Sequence, residues 1–225
     1  AIEQTEEAFD SILTSTVNIL EVVRDFDHSC PVIYTSSSMV YGDFETPSVI
    51  EKAPKDPKDI YGSIKFAGEI ISAGYRKRYG IDVRTVRPTA VYGPFDANQR
   101  VLYKFITRAL NKEPLRVDGN GSMALDFTYV DDTANGIYRV ATTDAAAGET
   151  FNIARGKSET LSTAVSIISE TIGDVEVEYG EVPAHIPNRG TLDITKAREL
   201  LGFEPQYSLE RALPAYIEHL RHNPI

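Results

Sequence analysis

The sequence of 225 residues contains one cysteine, two methionines and no tryptophan. A single cysteine, Cys30, excludes an internal disulfide framework and any cysteine-rich metal site. Because Cys30 precedes Pro31 and an apolar strand, we expect a buried, inert thiol. The histidines lack metal-ligand spacing, so no metal site is predicted from them. They are His28, His185, His219 and His222.

Long apolar runs and excess positive charge are also missing. No run approaches the roughly 18 residues of a membrane span, and the N-terminus lacks a signal-peptide pattern. We therefore expect a cytoplasmic protein without a membrane partner. The formal charge is −10, which argues against nucleic acid as a partner, because that affinity comes from neutralising phosphates with Lys and Arg. An acidic protein that handles an anionic ligand must concentrate its cations locally.

A third absence concerns glycine. Dinucleotide-binding folds ordinarily begin with a strand, a glycine-rich turn and a helix whose N-terminus holds the pyrophosphate. Neither G-x-G-x-x-G nor G-x-x-G-x-x-G occurs here. The stretch "DGNGS", Asp118–Ser122, comes late in the chain after a short strand, and we interpret it as a turn.

The first part of the chain alternates between helix and strand patterns. Helices are predicted over residues 5–26 and 59–79, the second closed by Gly80, and strands at "PVIYTSS" and "IDVRTVRPTAVYGP". Near-continuous Val and Ile runs between helices favour a parallel sheet with crossover helices. We therefore predict an α/β fold, with residues 1–94 as the remaining part of a Rossmann-like, doubly wound parallel sheet.

After Pro94 the pattern changes to short strands separated by helices. Residues 95–225 are predicted to form mainly a smaller C-terminal α+β substrate lobe, with some segments returning to the core. Helices are expected at Val101–Leu110, from Asp131 and Asp132 onward, at Leu161–Ile172 and in two final segments. The short strands are "LRV", "DFTYV", "TFNIA" and "VEVEY".

A set of hydroxyl, phenol and ammonium groups carries the chemistry. Ser36, Ser37 and Ser38 follow a buried strand, at the sheet edge where open α/β proteins bind ligands. Tyr61 and Lys65 are four residues apart and therefore share one helix face. A lysine beside a tyrosine lowers the phenol pKa from about 10 towards that of a general base. Taken alone, each motif also fits an exposed Tyr–Lys pair or an ordinary strand-end turn.

In combination and order, these motifs resemble a known family, the extended short-chain dehydrogenases/reductases. The similarity is to the NAD-dependent epimerases and dehydratases of nucleotide sugars, of the UDP-glucose 4-epimerase type. The matching stretches are "TSSSMVYG", "YGSIK", "RPTAVYGP", "LDFTYVDDTANGI" and "LDITKARELLGFEPQYSLERAL". The resemblance implies that the sheet is N-terminally incomplete, by roughly 80–90 residues that would carry the glycine-rich turn.

The resemblance also implies site roles. Tyr61 would be the catalytic acid/base, and Lys65 would bind the nicotinamide ribose of NAD. Ser37 falls on the catalytic Ser/Thr, while Ser36 and Pro88 fall near the nicotinamide. The helices 5–26 and 59–79 resemble the pair through which family members form a homodimer.

Some positions depart from the family pattern. Ser38 and Met39 replace the Asp-Glu pair of the dehydratases, so dehydration is not expected. Ala90 replaces a substrate-binding Asn, and Leu125 replaces an Arg that grips the nucleotide diphosphate. That second change removes a charge-assisted, potentially bidentate contact.

Three arginines are candidates for the substrate's anionic groups. Arg189 matches the family's second phosphate-binding Arg, and Arg100 and Arg116 lie in segments that usually frame the nucleotide base. Each could equally be a surface arginine. With Ser37, Ser38 and Ala90, they form the predicted substrate-binding set.

Three functions follow from this pattern. The first is an NAD-dependent nucleotide-sugar epimerase that acts at C4 through a keto intermediate. The second is an NAD-dependent dehydrogenase of a smaller sugar, uronate or hydroxy acid, which Ala90 and Leu125 favour. The third is a catalytically incomplete fragment, favoured by the missing glycine-rich turn.

Overall fold

The structure, a computed structural model, describes residues 5–26, 29–184 and 186–223. Within these residues the helices are α1 Thr5–Phe9, α2 Ser15–Phe26, α3 Ile60–Tyr79, α4 Val101–Leu110, α5 Val130–Thr142, α6 Leu161–Ile172, α7 Thr195–Leu201 and α8 Leu209–His222. The strands are β1 Val32–Thr35, β2 Ser48–Val49, β3 Val83–Pro88, β4 Val91–Tyr92, β5 Leu115–Asp118, β6 Ala124–Leu125, β7 Thr128–Tyr129, β8 Thr150–Ile153, β9 Glu159–Thr160, β10 Val177–Gly180 and β11 Thr191–Leu192. A π-helical turn, Asp10–Thr14, joins α1 to α2, so the helix predicted over residues 5–26 contains one irregular turn.

A parallel sheet of order β1-β3-β8 organises the described residues. Val32 pairs with Val83, and Thr85 pairs with Thr150. Because all three strands run in the same direction, their C-terminal ends lie at one edge, where open α/β sheets place their ligands. The predicted α/β class with a parallel sheet is confirmed, and β8 from the second half of the chain completes the sheet.

Helix α3 begins at a capped end and lies unusually close to β1. The Asp59 carboxylate accepts a hydrogen bond from the Gly62 backbone N–H at 2.7 Å. A Cβ atom at Gly68 would lie 2.0 Å from the Tyr34 hydroxyl oxygen, so only glycine permits this approach. The Tyr34 hydroxyl in turn donates to the Lys65 carbonyl oxygen at 3.0 Å. These contacts fix the register between the helix and the end of the strand.

The second half of the chain has its own apolar core, which joins α4, α6 and α8 to the two-stranded parallel pair β5–β10. The predicted turn at Asp118–Ser122 follows β5 directly, as expected. The Asp132 carboxylate accepts hydrogen bonds from the backbone N–H groups of Gln206 and Tyr207, at 2.8 and 2.9 Å. Asp132 therefore ties α5 to the C-terminal segment, in addition to its favourable place in the first turn of a helix.

One sequence expectation, that of a buried cysteine, has a different outcome. Cys30 is exposed, so the expectation of a buried thiol is wrong. The reason is that Cys30 lies in the bend before β1, outside the apolar core. His28 and His185 lie outside the described residues. None of the helices described is long and apolar enough to cross a membrane.

Candidate active site

The end of β1 turns sharply through its serines. After Thr35 the chain passes through Ser36 and Ser37 into a 3₁₀ turn at Ser38–Tyr41, and all three serines are buried. The Ser37 Oγ accepts a hydrogen bond from the Met39 backbone N–H at 3.2 Å. The turn therefore holds the Ser37 hydroxyl at the C-terminal edge of the sheet.

Helix α3 brings its phenol and ammonium groups to the same edge. The Tyr61 phenol lies beside the Ser37 hydroxyl, which favours the charged form of the phenol. The Lys65 Nζ donates to the Thr35 carbonyl oxygen at 2.8 Å and lies 5.8 Å from the centre of the Tyr61 ring. The structure thus brings together Ser37, Tyr61 and Lys65, the three predicted catalytic residues.

The electrostatics of this set differ from the expectation. Burial raises the pKa of the Tyr61 phenol, while the hydrogen bond with Ser37 and the positive charge of Arg100 act in the opposite direction. Burial also lowers the pKa of the Lys65 ammonium. The sequence predicted that Lys65 would lower the pKa of Tyr61, but in this structure the pKa of Tyr61 is raised. Loss of hydration outweighs the favourable contacts.

A cavity of about 480 Å³ lies beside these residues, within the size range of small-molecule sites. Its wall is mainly apolar and aromatic, with a few charged groups. The lining residues are Met39, Asp59, Ala90, Val91, Tyr92, Arg100, Val101, Leu102, Asp118, Met123, Leu125, Phe127, Leu161, Ile186 and Arg189. Ser37, Tyr61 and Lys65 are not among these residues. The cavity reaches the serine turn through Arg189, which donates a hydrogen bond to Ser38.

Arg189 is the charged group of the cavity that is best prepared for an anion. Its Nη1 donates to the Ser38 hydroxyl at 3.1 Å, and its buried Nε has no hydrogen-bond partner within the described residues. Burial lowers the pKa of Arg189, and the negative charge of Asp59 partly offsets this effect. A buried cation with an unused donor favours a negatively charged ligand.

Arg100 and Ala90 also line the cavity, as the substrate-binding prediction requires. The Arg100 Nη1 forms an ion pair with Asp96 at 2.5 Å, and its side chain remains 47% exposed. Ala90 has φ +38°, a left-handed conformation that is unusual for alanine. Leu125 lines the wall where the family pattern has an arginine.

Arg116 is not placed at this cavity. Its side chain is 73% exposed and lies 3.6 Å from the Glu178 carboxylate on β10. Leu115 and Val117 fill the core, and Arg116 lies on the opposite face of β5. The predicted role of Arg116 in substrate binding stays a prediction, since in this structure the side chain forms a surface ion pair.

The remaining predicted cofactor positions lie at the sheet edge. Pro88 ends β3 opposite Ile153 of β8. Ser36 is 1% exposed, and its hydroxyl donates to Glu69 Oε1 at 2.5 Å. Its hydroxyl is thus bonded inside the protein, between strand and helix.

Sequence reasoning missed several residues that shape the site. Asp59, the cap of α3, faces the cavity, and its position two residues before Tyr61 was a usable signal. Glu69 lies on the helix face of Tyr61 and Lys65, at the next four-residue step. Its partner Arg87 is an arginine within a buried valine-rich strand, which is itself an anomaly.

Asp126 is a further buried residue beside the cavity, between Leu125 and Phe127. Its Oδ2 accepts hydrogen bonds from the backbone N–H groups of Gly156 and Leu192, at 3.1 and 3.0 Å. Its Oδ1 has no partner in the described part of the chain. Burial raises the pKa of Asp126 to about 6, although the backbone N–H groups favour the charged form.

Metal ligation has no candidate in the part of the chain that the structure describes, because no three His, Cys, Asp or Glu residues cluster there in a suitable arrangement.

Comparison with known proteins places this geometry in context. The model of the NAD dependent epimerase/dehydratase family matches residues 1–154. UDP-glucuronate 4-epimerase of Thermodesulfobacterium geofontis is 31% identical over 217 residues, which are 95% of this chain and 66% of that protein. UDP-glucuronic acid decarboxylase 2 of Arabidopsis thaliana is 31% identical over 217 residues, which are 93% of this chain and 48% of that protein.

Solved structures of an epimerase and a dehydratase are also similar to this chain. UDP-glucuronic acid 4-epimerase from Bacillus cereus, in complex with UDP-glucuronic acid and NAD, superposes with a TM-score of 0.87 at 27% identity. That match covers 93% of this chain and 67% of the other. DesIV, a dTDP-glucose 4,6-dehydratase from Streptomyces venezuelae with NAD bound, superposes with a TM-score of 0.91 at 25% identity, over 99% of this chain and 69% of the other.

The match with this chain covers 66% of the length of the epimerase and 48% of the length of the decarboxylase, so the chain spans less than two thirds of either relative. The family model nevertheless matches well over half of the chain and includes the serine turn, α3 and the sheet. On this sequence match the chain belongs to the NAD dependent epimerase/dehydratase family.

Proposed function

We propose that this chain carries the catalytic and substrate-binding groups of an NAD-dependent nucleotide-sugar epimerase that acts at C4. The observation that carries the proposal is the placement of Ser37, Tyr61 and Lys65 at one edge of the sheet, near a cavity that contains Arg189. A sugar hydroxyl placed against Ser37 and Tyr61 would lose its proton to Tyr61 and keep a hydrogen bond to Ser37. The same two groups would return the proton after the sugar ring has presented its other face.

The residues at the sheet edge fit the nicotinamide end of NAD. Lys65 is only partly buried and reaches the edge beside Tyr61, so its ammonium can hold ribose hydroxyls. When bound, NAD would supply the acceptor and donor of the hydride. An ammonium or pyridinium charge near Tyr61 would lower the phenol pKa, against the effect of burial. The glycine-rich turn for the pyrophosphate is not among these 225 residues.

Arg189 supports a substrate with a diphosphate or another anionic group. Its Nε lacks a partner, and its Nη1 is directed to Ser38, so a bound anion would complete its hydrogen bonds. The Bacillus cereus relative was solved with UDP-glucuronic acid, which favours a UDP-sugar as the first substrate to test. Met39 in the cavity wall offers no acid or base for expelling water.

A second candidate is a dehydrogenase of a smaller sugar, uronate or hydroxy acid. Leu125 in the cavity wall supports it, since one phosphate-binding arginine of the family pattern is lost there. The two reactions differ in their use of NAD, because an epimerase recycles it and a dehydrogenase accumulates NADH.

The test combines UDP-glucuronic acid, NAD and the 225-residue chain. The epimerase proposal predicts a new anomeric proton signal by NMR without a rise in NADH absorbance, lost in Tyr61→Phe and retained in Tyr79→Phe, a control on the same helix. A steady rise of NADH would favour the dehydrogenase. No NAD binding by calorimetry would favour the third hypothesis, a catalytically incomplete fragment.

A homodimer through α1, α2 and α3 is part of this proposal. Several apolar side chains on these helices are exposed, among them Val22 at 56%, Phe26 at 84% and Ile70 at 59%. Exposed apolar patches of this kind mark association surfaces. Two copies that covered them together would form a helical bundle.

A further inference from the structure

Three consecutive residues at the end of β1 contact three residues of α3. The contacts are Thr35 with Lys65, Ser36 with Glu69, and Ser37 with Tyr61. The helix residues are spaced four apart, so they lie along one face of α3. The end of β1 therefore contacts α3 at three successive helical turns. Ser36, the middle residue of the three, contacts Glu69, the one nearest the C-terminus of the helix.

The Ser36–Glu69 contact is held by a buried arginine. The Glu69 carboxylate accepts from Ser36 Oγ at 2.5 Å and from Arg87 Nε at 2.8 Å, both at Oε1. The Arg87 Nη2 donates to the second oxygen, Oε2, at 2.6 Å. The two side chains are 4% and 10% exposed, so the bidentate pair lies inside the protein.

Arg87 extends the attachment to the other side of Ser37. Its Nη1 donates to the Tyr41 hydroxyl oxygen at 2.8 Å. The Tyr41 hydroxyl donates to Asn152 Oδ1, on β8, at 2.7 Å. The chain is therefore held on both sides of Ser37. Ser36 is held through Glu69, Tyr41 is held directly, and both contacts involve Arg87.

The electrostatics of the pair are consistent with this arrangement. Burial lowers the pKa of Arg87, but the hydrogen bonds and charges of Glu69 and Tyr41 outweigh burial and raise it above its ordinary value. A buried ion pair contributes little net stability compared with apolar packing of the same volume, because both charges lose hydration. The role of the pair is to orient Glu69, because a bidentate contact between a carboxylate and a guanidinium fixes both the orientation and the distance of the two groups.

We propose that Glu69, clamped by Arg87, is a positioning residue that holds the Ser37 hydroxyl in place beside the Tyr61 phenol. It acts through Ser36 and touches neither substrate nor cofactor. This inference rests on the proposed function for its catalytic meaning. The placement of Ser37 beside Tyr61 can be measured in the free protein, without turnover.

The test uses Ser36→Ala in the 225-residue chain, because this change removes the tether and leaves the Glu69–Arg87 pair intact. Glu69→Gln is the second variant. Ser72→Ala is the matched control, since Ser72 is 1% exposed on the same helix and its hydroxyl has no partner among the described residues. The readout is the Cζ resonance of Tyr61 in protein labelled with ¹³Cζ-tyrosine, identified by its loss in Tyr61→Phe.

We expect the Tyr61 resonance to shift in Ser36→Ala and to stay in place in Ser72→Ala, with thermal unfolding midpoints showing that both variants are folded. Where turnover is measured, kcat should fall about tenfold in Ser36→Ala with KM unchanged, because misplacement by about 1 Å costs up to 10²-fold. Glu69→Gln should give the same shift.

A Tyr61 resonance in Ser36→Ala that coincides with the wild type would overturn the proposal, whatever happens to stability. A shifted resonance in a chain that turns over no nucleotide sugar would support the positioning role and count against the proposed function alone.

Discussion

The guanidinium of Arg189 donates a hydrogen bond to the hydroxyl of Ser38 across 151 residues of sequence. This contact joins the C-terminal half of the chain to the serine turn that ends β1. It also leaves the Arg189 Nε buried and without a partner among the described residues. The cavity described above therefore has a buried cation next to the serine turn.

Arg189→Gln should weaken the binding of UDP by about 10- to 100-fold, because hydrogen bonds to charged groups contribute about 1.5–3 kcal/mol. Calorimetric titration of UDP into the chain measures this. Arg198→Gln is the matched control, since Arg198 is exposed, paired with Glu204 and not part of the cavity wall. Equal losses in the two variants would contradict the assignment of Arg189 to an anion.

Ala90→Asn should change the free energy of unfolding by less than about 0.5 kcal/mol, because asparagine tolerates positive φ. Ala90→Val should reduce it by about 2 kcal/mol, since a β-branched residue at φ +38° is strained. Urea unfolding of both variants measures the difference. Similar stabilities for the valine and asparagine variants would mean that the backbone at this position relaxes.

Asp126 should make stability depend on pH in an unusual direction. Its pKa is raised to about 6 in the folded chain from 3.8, so the folded state binds more protons between these values. The contribution of this group to the free energy of unfolding is then greatest below pH 4 and falls as pH rises through 6. The loss is about 3 kcal/mol, at 1.36 kcal/mol per pKa unit.

Urea unfolding at pH 4.5 and 7.5, for the wild type and Asp126→Asn, isolates this contribution. Asparagine keeps an oxygen for the two backbone N–H groups and carries no charge. The wild type should therefore lose stability relative to the variant as pH rises. A constant difference between the two proteins at both pH values would contradict the raised pKa.

The proposed dimer face can be tested with Val22→Asp. A charge at this exposed helix position should leave a monomer folded and should weaken dimerisation by at least tenfold, because an unpaired charge would be buried between the copies. Analytical ultracentrifugation over a range of concentrations measures the association. Tyr138→Ser, at a residue 65% exposed on α5, is the control and should have no effect.

The helices of this chain could be predicted well from sequence because their signals are local. Helices α4 and α6 have the predicted ranges, and α6 follows a Thr160 cap that accepts from Thr163 N–H. The positions of Ser37, Tyr61 and Lys65 followed from helix periodicity and from the edge at which parallel strands end.

The contacts that complete the site could not be predicted in the same way. Arg189 and Ser38 are far apart in sequence, and no local pattern encodes their meeting. The exposure of Cys30 and Arg116 depends on what packs against their segments, which composition does not determine. Arg87 stands out in the sequence as an arginine within a buried strand, but its pairing with Glu69 is recognisable only when α3 is seen against β3.

The outer edge of β1 has a consequence for the catalytic helix. Within the described residues β1 pairs only with β3, and β1 donates to β3 from alternate residues, Val32 and Ser36 among them. The Thr35 carbonyl therefore points to the free edge, where the Lys65 ammonium occupies it at 2.8 Å. A further strand that paired along β1 as far as Thr35 would compete for that carbonyl. Such a strand would therefore also free the Lys65 ammonium for another partner.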